Sequence, residues 1–405
     1  MSRANCDKQK DDKHDCVKQN TIRLTQLHIL AHTLDCMAPF APDKLPVPLN
    51  WEPLIPLIGK ANRAIAQYDG VLYGLPNPDI LLSPITTQEA VLSSRIEGTQ
   101  ATLGEVLKFE AGEQPEEESK RLDIQEIINY RRTLRAAEQE LKARPFSLNL
   151  LLSLHQTLLD SVRGRNKARG QFRKIQNWIG PPGSSIEEAH FVPPQPEVLD
   201  EFLDNWERYY HLDRPDPLVQ LAIIHAQFEV LHPFLDGNGR LGRLIIPIFL
   251  FEKGILSRPM FYLSAYMELH RDEYVHALRA LGHQADAWNS WVAFFLNALF
   301  EQAQENNRKA RQILDLYEHL KDRVITLTRS QFAVPLLDNL FEQPIIQASA
   351  FDGKPLMPSR QQVATLLGRL RDAGILKVIR PASGRRAQVL ALAELVNLCE
   401  GHQVM

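Results

Sequence analysis

Apolar residues return every three or four positions in LNLLLSLHQTLL (148–159), LDEFLDNWERYY (199–210) and LVQLAIIHAQFEVL (218–231), the spacing that gathers them on one face of a helix. A mostly α-helical body follows. Between the first two stretches, RGQFRKIQNWIGPPGSSIEEAHFVPPQPEVL (169–199) breaks the pattern with Pro and Gly, and its two short β-like runs, KIQNWIG and AHFVP, predict a β-hairpin flap. After about residue 300 the polar, helix-forming EQAQENNRKARQILDLYEHL predicts a connector helix. The chain then reads SRQQVATLLGRLRDAGILKVIRPASGRRAQVLAL (359–392): a capped amphipathic helix, a Gly stop and two β-like runs joined by PASGRR. Helix followed by a basic hairpin is the pattern of a winged helix.

Length and composition set the frame for these elements. At 405 residues and 44% hydrophobic content the chain is long enough for two or three domains with a sizeable core. The formal net charge of −3 gives no global pull toward nucleic acid, so such a contact would need a local basic patch. Cys6, Cys16, Cys36 and Cys399 sit near the two ends without metal-ligand spacing, which argues against zinc and a disulfide framework and favours a reducing cytoplasm. The start, MSRANCDKQKDDKHDC, has no apolar core of a signal peptide and reads as a disordered extension. The longest apolar run, LIIPIFLF, falls far short of the roughly 20 residues that a membrane span requires, so a soluble protein without a membrane partner is expected.

The segment HPFLDGNGRLGR (232–243) carries the chemistry. Pro233 must end the preceding helix nearby and GRLGRLIIPIFLF restarts one, so the segment is a loop at a helix N-terminus. Unpaired N–H groups and the positive end of the helix dipole make such a place a phosphate cradle, and Gly237 and Gly239 let a ligand approach the backbone. Asp236 can hold a magnesium ion, Asn238 can bond phosphate oxygens, and Arg240 and Arg243 suit a polyphosphate. His232, titrating near neutrality at the rim, is the candidate general base for an incoming hydroxyl.

This segment resembles the signature of Fic (filamentation induced by cAMP) proteins, His-x-Phe-x-Asp/Glu-Gly-Asn-Gly-Arg-x-x-Arg, and meets every specified position. The resemblance extends to FRKIQNWIG (172–180), similar to the family's target-docking hairpin, and to ANRAIAQYDGVLYGLPNP (61–78), similar to its N-terminal region. It implies an N-terminal extension over 1–40, a Fic N-terminal region over 41–135, a Fic core over 136–304, and a connector helix and winged-helix domain over 305–405. The implied activity is a protein adenylyltransferase moving AMP from ATP to a target Tyr, Thr or Ser hydroxyl. His232 would be the base, Asp236 the magnesium ligand, Gly237, Asn238, Gly239 and Arg240 the phosphate contacts, Arg243 the partner of the γ end, and Phe234 a buried anchor. In the flap, Gln176, Asn177, Trp178, Ile179 and Gly180 would pair main chain with an extended target segment.

A second stretch, SSRIEG, resembles the family's inhibitory motif in Ser93, Glu97 and Gly98. Ser93 and Glu97 are four apart, hence on one face of a helix, and Glu97 paired to Arg243 would deny that arginine to ATP. Two adjacent tyrosines that help to enclose adenine in the family are represented by Tyr274 and Val275, and His225 reads as a packed core histidine. Alternatives from the same residues are removal of AMP with Glu97 orienting a water, and transfer of another nucleotide. A different class is a DNA-binding regulator with a nucleotide-sensing core, drawing on Arg360, Arg369, Arg371, Lys377, Arg380, Arg385 and Arg386. The resemblance also leaves a homodimer open.

Overall fold

The computed structural model describes residues 38–161, 167–181, 183–284, 286–384 and 386–405. Cys6, Cys16 and Cys36 lie outside the described residues, as does nearly all of the expected extension, while Cys399 is a buried free thiol. The first helices are α1 (Ile55–Gly74), α2 (Pro78–Leu81), α3 (Ser83–Ile96), α4 (Leu103–Glu110), α5 (Glu118–Leu141) and α6 (Leu148–Leu158). Past the flap come α7 (Pro196–His211), α8 (Pro217–Leu231), α9 (Asn238–Glu252), α10 (Ser264–Leu269), α11 (Arg271–Ala280) and α12 (Ala287–Thr328). Among the described residues no helix is long and apolar enough to cross a membrane.

The spine is α8. Its pattern predicts one apolar face, yet nearly every residue is buried, because α7, α9, α11 and α12 pack around it. Leu221, Ile224, Phe228 and Leu231 are fully covered, each worth about 1.5–3 kcal/mol relative to an exposed side chain. Its polar residues must then find partners inside. Gln220 donates to the carbonyls of Tyr209 and Leu212, and Gln227 to that of Asp43. The helix starts where Asp216 accepts from the N–H groups of Leu218 and Val219 with Pro217 in the first turn, and it stops at His232.

The boundaries expected at 135/136 and 304/305 both fall inside helices, α5 and α12. In α12 the change from apolar to polar composition marks a change of packing partner along one continuous helix. Its first part packs on α1 and α8, and its second part carries buried Ile313, Leu316, Leu320 and Val324 toward the C-terminal unit. That unit comprises α13 (Ala333–Glu342), β1 (Ile345–Ile346), α14 (Arg360–Asp372), β2 (Lys377–Arg380), β3 (Val389–Ala391) and α15 (Ala393–Glu400). Its small antiparallel sheet has the order β1-β3-β2, with Ala391 opposite both Ile345 and Lys377.

The flap departs from a regular hairpin. Its main chains meet in one antiparallel bridge, Ile179 opposite Phe191, and the rest is irregular because the Pro and Gly residues between the two runs interrupt a ladder.

Candidate active site

The turn between α8 and α9 contains two residues in the left-handed region, His232 and Gly237. His232 closes α8 in the left-handed region (φ 46°, ψ 58°), Pro233 prevents continuation, and Gly237 (φ 79°) turns the chain into α9. Among the described residues the N–H groups of Asn238, Gly239 and Arg240 have no main-chain partner, and Leu241 is the first to bond back, to Gly237. A side chain at Gly239 would run into the Glu97 carboxylate and crowd the Arg243 guanidinium, so it would displace that pair.

Buried anchors fix this loop. Phe234 is fully covered and stacks on the His155 ring with centroids 3.8 Å apart. His155 takes the Gly170 N–H on Nδ1 (2.9 Å), so Nε2 carries the hydrogen and donates to the Asp236 carbonyl at 3.0 Å. Burial lowers its pKa to about 4 and keeps the ring neutral for that task. Arg173 donates to the carbonyls of His232, Leu231 and Pro194, tying the flap to the loop. Sequence reasoning missed His155 and Arg173. A histidine on an apolar helix face and an arginine beside an aromatic are the signals they gave, and neither signal says what lies across the fold.

Several expected ligands are already engaged. The Asn238 side chain accepts from the Phe234 N–H (2.9 Å) and donates to the Phe234 carbonyl (2.8 Å), so it braces the loop and leaves only its backbone N–H for a phosphate. Arg240 is buried and paired with Glu126 at 2.8 Å, with Asp236 a further 3.4 Å contact. In the flap, the Gln176 amide donates to the Asn177 and Pro193 carbonyls, and that of Asn177 to Phe234. The Ile179 backbone is used in the bridge to Phe191, whereas Trp178 and Gly180 have no main-chain partner among the described residues, which leaves one edge open.

Arg243, also buried, is gripped from α3. Its Nε donates to Ser93 Oγ (2.8 Å), and its Nη2 donates to the Ser93 carbonyl (2.8 Å) and to Glu97 Oε1 (2.7 Å). Glu97 is not inside the helix as its spacing from Ser93 predicts. It caps the helix after Ile96, and Gly98 (φ 99°) leads the chain away. Burial works to raise the Glu97 carboxyl, but the Arg243 guanidinium outweighs it and its pKa lies below the usual carboxylate value. Arg243 in turn is raised: burial opposes its charge and Glu97 prevails. One turn before Ser93, Glu89 accepts from the N–H and hydroxyl of Ser264, while burial pushes its pKa up to about 7.

One cavity of about 380 Å³ joins these pieces: His232, Gly239, Arg243, Glu97, flap residues Trp178 to Gly180, Glu229, and Tyr274 with Val275 from α11 all line it. Asp236, Gly237, Asn238 and Arg240 do not, and the Asp236 side chain is 39% exposed. The Tyr274 ring is buried and its hydroxyl bonds His225 Nε2 at 3.0 Å, so it offers a rim of ring and no free hydroxyl. His225 is fully buried, its Nδ1 on the Gly242 carbonyl at 3.1 Å. The His232 Nδ1 lies 3.4 Å from the Glu229 carbonyl, its Nε2 has no hydrogen bond among the described residues, and burial holds the ring's pKa down to about 4. Glu229, half-buried near Arg243 and Glu97, is pushed up to about 7 by desolvation, and its Oε1 has no hydrogen-bond partner among the described residues.

Residues 55–139 match the family model for the Fic/DOC family N-terminal region, and residues 145–250 match that of the Fic/DOC family. The chain is 29% identical over 205 residues to a probable protein adenylyltransferase of Aquifex aeolicus, covering 49% of this chain and 55% of that protein. It is 31% identical over 114 residues to the protein adenylyltransferase Fic of Drosophila virilis, covering 27% of this chain and 21% of that protein. The chain thus spans about half of the first relative and a fifth of the second. A crystal structure of a Fic family protein from Desulfovibrio desulfuricans shares the fold, with a TM-score of 0.55 at 20% identity over 87% of this chain and 98% of that one.

Proposed function

This chain belongs to the Fic/DOC family, and from that premise we propose that it is a protein adenylyltransferase that moves AMP from ATP to a hydroxyl of a target protein and is held off by its own Glu97. The observation that carries the reading is the cavity in which His232, Gly239, Arg243, Glu97 and the open flap edge meet. In the reaction, the target hydroxyl gives its proton to His232 Nε2 and its oxygen attacks the α-phosphorus. The bond from that phosphorus to the bridging oxygen breaks, and pyrophosphate leaves. Phosphoryl-type transfer needs positioning and charge stabilisation more than covalent help, and the free N–H groups of Asn238, Gly239 and Arg240 together with Arg243 supply both.

Asp236 is the candidate magnesium ligand. Among the described residues no group of three or more His, Cys, Asp or Glu could hold a metal by itself, which suits a cation that takes its other ligands from phosphates and water. Such an ion, when bound, neutralises charge on the phosphates. Tyr274 and Val275 would border the adenine, and Trp178 and Gly180 would pair with the target's main chain. The C-terminal unit reads as a winged helix, with α14 followed by the β2 and β3 strands.

Glu97→Gly tests the reading. Freed of the carboxylate, Arg243 should receive the γ-phosphate and raise self-labelling from α-labelled ATP about ten-fold or more, while the double replacement of Glu97 and Arg243 should not show the gain. Equal labelling by wild type and Glu97→Gly would remove autoinhibition from the account. Release of AMP from labelled protein by the wild type in place of its transfer would favour hydrolytic removal of AMP, with Glu97 orienting the attacking water.

A further inference from the structure

We infer that Arg271 and Arg279 select an acidic, extended target segment, an inference that rests on the transferase reading above. Both arginines line the same cavity as His232 and the open flap edge. Both are exposed, and neither has an ion pair or hydrogen bond among the described residues. The residues of α11 that line the cavity are Arg271, Tyr274, Val275, Leu278 and Arg279, so the helix presents cations and apolar surface to it. Its acids Asp272 and Glu273 are not part of that lining. Of the cavity's own carboxylates, Glu97 is bound to Arg243 and Glu229 is half-buried beside them. The rim is therefore left with two unanswered positive charges.

The nucleotide's phosphates do not need them in this reading, since the loop before α9 and Arg243 meet those, and its adenine borders Tyr274 and Val275 on the helix between the two arginines. The remaining ligand of the cavity is the segment that carries the hydroxyl. Eight residues of helix separate the two arginines by about 12 Å along the axis. An extended strand advances about 13 Å in four residues and returns its side chains to the same face. A segment with acidic residues four apart, flanking the hydroxyl-bearing residue and paired to the flap by its main chain, would meet both guanidiniums. Carboxylate is the group their planar fork fits best.

The test uses the full chain carrying Glu97→Gly, α-labelled ATP, and peptides with a central Ser, Thr or Tyr flanked two residues away on each side by Glu, Gln or Lys. Glu peptides should be labelled with a kcat/KM about ten-fold above Gln peptides, an effect of about three-fold per arginine at a partly exposed pair. Adding Arg271→Glu and Arg279→Glu should reverse the order, so that Lys peptides lead. An unchanged order of peptides, or a rise in KM for ATP that is equal for all of them, would overturn the inference while continued self-labelling leaves the transferase reading standing. No label on any peptide or on the protein itself would overturn both.

Discussion

His232 combines two constraints in one residue. It ends α8 in a left-handed conformation and leaves Nε2 without a hydrogen bond among the described residues, and burial keeps the ring neutral by lowering its pKa to about 4. A base must be unprotonated to act, so its contribution is present above that value and lost as pH falls through it. His232→Ala should retain ATP binding and lose about 10²–10⁴-fold in transfer, measured by ATP titration beside label incorporation. Phe234 is an anchor with no chemistry of its own. Phe234→Ala removes a fully buried ring that stacks on His155 and should cost about 3–5 kcal/mol in a denaturant melt. The motif made His232, Phe234, Gly239 and Arg243 legible, because adjacent residues in a tight loop keep their relations wherever the loop sits. The sequence did not show that the amide of Asn238 turns inward, since that depends on the buried Phe234 backbone it satisfies.

Among the elements, α3 does more than deliver Glu97. It lies between α9 and the C-terminal unit, with Ser83 Oγ donating to the Glu342 carbonyl and Gln88 Nε2 to Glu400 at 3.1 Å. The inhibitory six-residue pattern is local and could be read; the contacts more than two hundred residues away could not. The basic tail shows the converse. Arg360 is paired with Asp352, Arg371 with Asp372, Arg380 with Glu113, and Arg369 donates to the Thr328 carbonyl. Lys377 and Arg386 remain exposed, and Arg385 lies outside the described residues. Charges spent inside the molecule release no counterions from DNA, so a gel-shift series with the full chain should give a log K against log salt slope no steeper than about −3. A slope near −6 would restore the DNA-binding regulator that the count of basic residues suggests.

For the whole molecule, buried titratable groups set the response to acid. His155, His225 and His232 have folded pKa values of about 4, 3 and 4, so between their ordinary value near 6.5 and those values the unfolded chain binds more protons, and stability falls as pH falls. Glu89 and Glu229, both raised to about 7, act oppositely: between about 7 and 4.5 the folded chain holds protons there that the unfolded chain lacks. Three groups against two leave about one proton, or about 1.4 kcal/mol per pH unit, between pH 6.5 and 4.5. Below that the glutamates cease to differ, and the histidines act together with the depressed Glu97. Urea melts across this range should therefore show a shallow slope that steepens near pH 4.5. A uniform decline from neutrality would contradict the neutral burial of the histidines.

The sequence by itself determined what depends on neighbours along the chain: the helical periodicity, the end of the helix before Pro233, the turn at the glycines, and the cradle of N–H groups at the start of α9. It also placed Glu97 and Arg243 as a pair, through the matching motif. Only the tertiary structure decided that α8 is covered on every side, that one helix runs through the expected boundary at 304/305, and that Arg240 is committed to Glu126. Those outcomes rest on which surfaces meet across long separations, and burial there forces each polar group to take a partner that no local pattern specifies.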